Sequence, residues 1–153
     1  MTTGFLLGKF LPLHRGHMHL IETARSQVDH LTVLVCSLQR EPIPGALRHA
    51  WVRALYPEVN VQHCTDENPQ YPEEHPDFWD IWLASIRRFM PAGPDLVFSS
   101  ELYGDELARR LGARRFPVSG TAVRQQPFAY WDYLPEPVRA YYARRAAPDT
   151  RHA

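Results

Sequence analysis

The stretch Gly8-Lys9-Phe10-Leu11-Pro12-Leu13-His14-Arg15-Gly16-His17 decides how the rest of the chain is read. Residues 5–10 are apolar and bounded by glycine, which suits a buried strand. Over 16–29, Leu20, Ile21, Ala24 and Val28 recur at helical spacing. The expected order is strand, turn, helix, with His14 and His17 at the turn. Gly16 would let a ligand approach the backbone closely, and a helix N-terminus near His17 offers N–H groups and a favourable dipole to a polyphosphate. Two imidazoles there could donate hydrogen bonds to oxygens that gain charge during displacement at phosphorus. Eight histidines in 153 residues make a pair at this spacing unsurprising by chance. The coincidence with strand, glycine and helix favours the chemical reading.

The alternation continues outward. Residues 31–36 form a second β-branched run, 46–56 an amphipathic helix stopped by Pro57, and 59–63 a weaker strand. Residues 78–90 read as a helix carrying Trp79, Trp82, Ile86 and Phe89, 95–99 as a strand, and 101–111 as a helix. Between them, 65–77 is a polar, proline-punctuated loop placed to lie over a crevice. After Ser119 we expect a short helical turn, an aromatic segment at 128–133, a final helix over 135–145, and a tail or linker at 146–153. This βαβα order favours an α/β fold with a parallel sheet covered on both faces and ligands at the carboxyl ends of its strands.

Composition narrows the function. The chain has the size of one domain, here 1–145, and at 44% hydrophobic can bury a core without disulfides or metals. Seventeen basic and seventeen acidic residues cancel, so no global field draws the chain to nucleic acid or an anionic membrane. A small-molecule partner is expected. Cys36 and Cys64 follow apolar runs and read as buried thiols of a reducing compartment, a disulfide between them staying open. No run approaches the roughly 20 apolar residues that span a bilayer, and residues 1–4 lack the basic start of a secretory signal. A cytoplasmic location follows as the expectation.

Two further motifs need weighing. Gly4 to Phe10 superficially matches a P-loop, but that loop needs four residues between its glycines and Ser or Thr after the lysine. Here three intervene and Phe10 follows Lys9. There is no GxGxxG fingerprint either. The second motif, Pro117-Val118-Ser119-Gly120-Thr121-Ala122-Val123-Arg124, could cap a helix and offer N–H groups to phosphate, with Arg124 as a fixed cation. Alone it is more often an ordinary N-cap; its force comes from pairing with the histidines.

Together GKFLPLHRGH, VSGTAVR and the tail PFAYWDYLPEPVRAYY resemble the NadR-type nicotinamide-nucleotide adenylyltransferases, within the broader HxGH nucleotidyltransferase superfamily. The resemblance implies a Rossmann-like nucleotidyltransferase fold. It implies transfer of an adenylyl group from ATP, with Mg²⁺, to nicotinamide mononucleotide, giving NAD and pyrophosphate. By the same resemblance His14, His17, Lys9 and Arg124 are the catalytic set, and Gly8, Phe10, Gly16, Ser119 and Thr121 complete the ATP site. Trp82, with Trp79 as its competitor, would stack on the nicotinamide. Arg48 and the Ser99-Ser100-Glu101 turn would join the mononucleotide site. Core packing is the plain alternative for the tryptophans, a solvated helix face for Arg48, and a helix cap for Ser99-Ser100-Glu101. No protein metal site is expected, Mg²⁺ being held mainly by ATP phosphates, and a homo-oligomer is compatible with this reading. Relatives carry a longer stretch before the Ser-Gly-Thr motif than residues 111–116 provide, so either the connection is short or residues are absent. Many also continue into a kinase domain. Rivals are adenylyl transfer to another acceptor, such as phosphopantetheine, or a non-catalytic NAD-sensing module.

Overall fold

The structure, a computed structural model, describes residues 1–101, 103–118 and 135–151. Its sheet has five strands in the order β3-β2-β1-β4-β5, all paired in parallel. They are β1 (Thr3–Gly8), β2 (His30–Cys36), β3 (Asn60–Cys64), β4 (Leu96–Ser99) and β5 (Arg114–Pro117). The helices are α1 (Arg15–Gln27), α2 (Gly45–Leu55), α3 (Phe78–Phe89), α4 (Tyr103–Leu111) and α5 (Glu136–Arg151). The expected Rossmann-like nucleotidyltransferase architecture is what forms, a parallel sheet with helices on both faces.

Strand alternation builds two cores. Leu6, Val33, Val35 and Val61 face a layer made by Leu20, Ile21 and Ala24 of α1, Trp51 and Val52 of α2, and Val138 and Tyr141 of α5. Phe5, Leu34 and Val97 turn the other way, onto Ile86 of α3, Met90 at its C-cap, and Leu107 and Leu111 of α4. Each fully buried Leu, Ile or Phe contributes about 1.5–3 kcal/mol relative to exposure, so both faces are needed to order the sheet. Cys36 and Cys64 are register partners on β2 and β3, and both are free, buried thiols.

Several boundaries differ from expectation. Residues 114–117, expected only as a connection, form edge strand β5, and the short connection before it is well closed. Gly112, at φ 71°, ends α4 with Gly112 N–H donating to Arg109 C=O and Ala113 N–H to Ala108 C=O. That is a Schellman closure, which requires the left-handed backbone glycine adopts readily. The loop 65–77 contains a 3₁₀ turn, Pro72–Glu74, and α5 runs to Arg151 through residues expected to form the tail. The helical turn expected after Ser119 and the aromatic segment at 128–133 lie outside the described residues.

Candidate active site

In the sheet order, β1 sits between β2 and β4, so the chain leaves β1 toward one side and returns to the other. A crevice opens outside the carboxyl ends at such a switch point, and the β1–α1 connection lies there. His14 is the N-cap of α1, with extended backbone (φ −141°, ψ 176°). The Nδ1 of His14 accepts from the His17 N–H at 3.3 Å, and the Nδ1 of His17 accepts from the His14 N–H at 3.3 Å. This is a capping box in which imidazoles replace the usual hydroxyl and carboxylate. It stacks the two rings, with centroids 3.8 Å apart and planes inclined by 18°. Because both Nδ1 atoms accept, the proton of each neutral ring resides on Nε2, which makes that atom a hydrogen-bond donor. His14 is buried and His17 partly exposed, so His17 is the outer ring of the stack.

Phe10 supports this arrangement. It holds φ at 50°, a left-handed conformation uncommon for a bulky residue and worth about 1–3 kcal/mol of strain. Its ring is buried and packs edge-on against His17 at 4.9 Å. The expectation that Phe10 contacts nucleotide is corrected for its side chain, which is core; its backbone belongs to the turn. Gly8 ends β1 in register with Val35, and Gly16 lies in the first turn of α1.

Lys9 and Arg48 meet at Glu41. The Lys9 ammonium pairs with one carboxylate oxygen, and Arg48 Nη2 donates to the other at 2.8 Å. Leu38 N–H donates to the same carboxylate at 2.7 Å. Arg48 also donates to Ile43 C=O at 3.0 Å and to Lys9 C=O at 2.9 Å. Burial raises the Glu41 pKa, but hydrogen bonds from Lys9, Leu38 and Arg48 outweigh it and hold the carboxyl below its ordinary value. Arg48 is 0% exposed. It is therefore neither the solvated helix residue of the plain alternative nor, in this conformation, a group facing a ligand. It pins the Lys9 carbonyl from below. Glu41 escaped the sequence reading, since an acidic residue in a loop carries no periodicity.

At the end of β4, the Ser99 hydroxyl donates to Glu101 C=O at 3.0 Å and accepts from Glu101 N–H at 2.9 Å. Ser99 is buried, so its hydroxyl organises the turn instead of facing a ligand, while Ser100 and Glu101 stay partly exposed. The β3 side is a built wall. Asp66 accepts from Ser85 at 2.6 Å and from Arg88 at 3.0 Å, and Asn68 donates to Ser85 at 2.9 Å. The Arg88 and Ser85 hydrogen bonds hold the Asp66 carboxyl below its ordinary value. Trp82 Nε1 donates to Pro69 C=O at 2.8 Å, and the Arg110 guanidinium lies over the Trp79 ring at 5.1 Å. Trp79 thus already has a cation on its face, and Trp82 ties α3 to the 65–77 loop.

Beside that wall, His63 Nε2 and the Ser37 hydroxyl are 2.7 Å apart, and the His63 ring stacks on His49 at 5.3 Å. Burial first, then the charges of His49 and Arg48, lower the His63 pKa. Of the second motif, Ser119, Gly120, Thr121 and Arg124 lie outside the described residues; Val118, just before them, is tied to β4 by its N–H donating to Ser99 C=O at 3.1 Å. Two surface concavities lie near the start of β3, one lined by residues such as Arg25, His30 and Asn60 and the other by His49 and Arg53 of α2; neither lining includes His14 or His17. No helix of the described residues is long and apolar enough to cross a membrane.

Comparison with known proteins agrees with this fold. The cytidylyltransferase-like family model matches residues 5–126. The trifunctional NAD biosynthesis/regulator protein NadR of Escherichia coli (strain K12) is 31% identical over 175 aligned positions, covering 95% of this chain and 42% of that protein. The chain thus spans under half the length of that relative. The nicotinamide-nucleotide adenylyltransferase of Methanosarcina mazei is 27% identical, covering 90% of this chain and 86% of that protein. Among solved structures, a NadR protein in complex with NR superposes with a TM-score of 0.66 at 22% identity, over 90% of this chain and 44% of that one. A bifunctional NMN adenylyltransferase/ADP ribose pyrophosphatase from Francisella tularensis, with AMP and a Mn ion, gives 0.67 at 14% identity, over 95% of this chain and 49% of that one. With the switch-point histidine turn, the parallel five-stranded sheet and a family match over most of its length, the chain belongs to the cytidylyltransferase-like family.

Proposed function

We propose that the protein transfers the adenylyl group of ATP to nicotinamide mononucleotide, forming NAD and pyrophosphate. The observation that carries this reading is the reciprocal cap of His14 and His17, which makes both Nε2 atoms donors at a helix N-terminus in the crevice. The names of the similar proteins from Escherichia coli and Methanosarcina mazei support the choice of acceptor.

In this mechanism the 5′-phosphate oxygen of the mononucleotide attacks the α-phosphorus of ATP in line. The new P–O bond forms as the bond to the bridging β-phosphate oxygen breaks, and pyrophosphate leaves with that electron pair. The nucleophile is already anionic, so no general base is needed. His17, the outer ring, donates to the triphosphate, and His14 holds it through cap and stack while meeting the same oxygens. Lys9 and Arg124 neutralise the β- and γ-phosphates. Among the described residues no group of three His, Cys, Asp or Glu is placed to hold a metal ion, and the two imidazoles present donors instead of lone pairs. Magnesium would enter with ATP as the MgATP substrate and supply positive charge to the leaving pyrophosphate. Ser100 and Glu101 would border the mononucleotide, with Trp82 in the wall on the β3 side.

The test is pyrophosphate release from ATP with a panel of acceptors. We expect release with nicotinamide mononucleotide and formation of NAD. Release only with phosphopantetheine or another phosphate ester overturns the acceptor, and tight NAD binding without turnover overturns the reaction.

A further inference from the structure

We infer that Glu41 is a positioning residue that holds the Lys9 ammonium in the ligand-free protein and yields it to the triphosphate when ATP binds. The inference rests on the nucleotidyl-transfer reading and extends it to a residue outside both recognised motifs.

Three features of the geometry carry it. Glu41 is nearly buried, 7% exposed at its side chain, yet Lys9 on the crevice side is 41% exposed. The carboxylate has two cationic partners of different character: Arg48 is fully enclosed and bonded to three acceptors, so it cannot leave, whereas the Lys9 ammonium has Glu41 as its partner and a flexible four-carbon stem. Glu41 itself is fixed by a turn, accepting from Leu38 N–H with its side chain and donating to Leu38 C=O with its backbone at 3.2 Å. One immobile anion with one immobile and one mobile cation is a cradle from which a single charge can be exchanged. A polyphosphate entering over the histidines competes with Glu41 for Lys9, and when Lys9 departs, the Arg48–Glu41 pair remains neutral and buried. The exchange also ties two loops together, because Arg48 and Glu41 contact the backbone and side chain of Lys9 from the β2–α2 side.

The experiment is calorimetric titration with inorganic tripolyphosphate, which lacks adenosine, at low salt. Wild type, Glu41→Gln, Lys9→Gln and the double variant form a thermodynamic cycle. Removing the competing charge is expected to tighten tripolyphosphate binding about threefold, the size of a partly exposed ion pair, and this gain vanishes when Lys9 is Gln. Amine-acylation footprinting adds a readout that a merely structural role does not move: Lys9 reacts faster in Glu41→Gln than in wild type, and tripolyphosphate protects it in both. Glu41→Asp keeps a negative charge beside buried Arg48 and serves the same footprinting test if the neutral variant does not fold. Unchanged or weaker binding in Glu41→Gln, or an equal change in both Lys9 backgrounds, overturns the inference. So does a wild type that fails to bind tripolyphosphate. Wild-type turnover of ATP with nicotinamide mononucleotide, measured alongside, separates these outcomes from failure of the reaction itself.

Discussion

The histidine end and the tryptophan end of the crevice are held together over very different lengths of chain. His14 and His17 cap each other across three residues. At the other end, Trp82 reaches Pro69, Ser85 reaches Asp66 and Asn68, and Arg88 reaches Asp66, separations of 13 to 22 residues. One turn of helix builds the first region; docking of α3 against the β3 loop builds the second. Where helical pitch alone sets the geometry, side chains can be devoted to a ligand. Where a wall must be assembled from distant segments, the same polar and aromatic groups are engaged by the assembly.

The sharpest way to break this comparison is to keep the cap and remove the imidazoles. Asn is a good N-cap and Gln suits the third helical position, so His14→Asn and His17→Gln retain both reciprocal hydrogen bonds. We expect turnover to fall about a hundred- to a thousandfold in each, as for loss of one transition-state donor, with thermal stability near wild type. His14→Ala should lose turnover and also about 1 kcal/mol of stability. Near-wild-type turnover in the Asn and Gln variants would reduce the histidines to a cap and remove the distinction between the two ends.

The wall allows a complementary substitution. A Cβ on Gly45, the first residue of α2, would lie 2.1 Å from the Ser37 hydroxyl oxygen and 2.8 Å from His63 Nε2. Gly45→Ala should therefore cost about 1–3 kcal/mol in urea unfolding, with partial rescue by Ser37→Gly. A neutral Gly45→Ala would mean that this side yields as readily as a ligand pocket must.

These contrasts also explain what could be read from the chain. Strand-helix alternation was legible because β1, β2 and α1 carry their own periodicity, and so was the histidine turn. Strand β5 was not: Arg114-Arg115-Phe116-Pro117 has no alternating apolar face and becomes a strand only by pairing with Leu96–Ser99. Arg48 announced a cation but not its burial, because the partner that makes burial tolerable, Glu41, lies in an aperiodic loop. The left-handed backbone at Phe10 had no compositional sign, glycine being the residue expected there. Trp82 illustrates the same limit. Its aromatic face was visible, its hydrogen bond to Pro69 was not.

Trp82→Phe separates those two properties, since phenylalanine keeps a ring and loses the N–H. Losing one partly buried hydrogen bond should lower stability by about 1 kcal/mol. Limited proteolysis within 65–77 should speed up, and the mononucleotide KM should rise more than kcat falls. An unchanged cleavage pattern with a raised KM would return Trp82 to direct stacking.

The smallest expected effect is a pH dependence confined to the wall. Burial, followed by His49 and Arg48, sets the His63 pKa below the ordinary histidine value of 6.5 in the folded protein. Above that value the ring is neutral in both folded and unfolded chains, and His63 adds no pH dependence. As pH falls below 6.5 the unfolded chain takes up a proton that the folded chain resists, so stability drops, and the drop levels off once the folded ring protonates as well. Thermal midpoints of wild type and His63→Gln, measured from pH 7.5 down to about 5 at low salt, should converge on descending. Histidines remote from this group cancel in that difference. Parallel curves would show that the Ser37–His63–His49 group is as open to solvent as the crevice it borders, and the wall would then be a second ligand face.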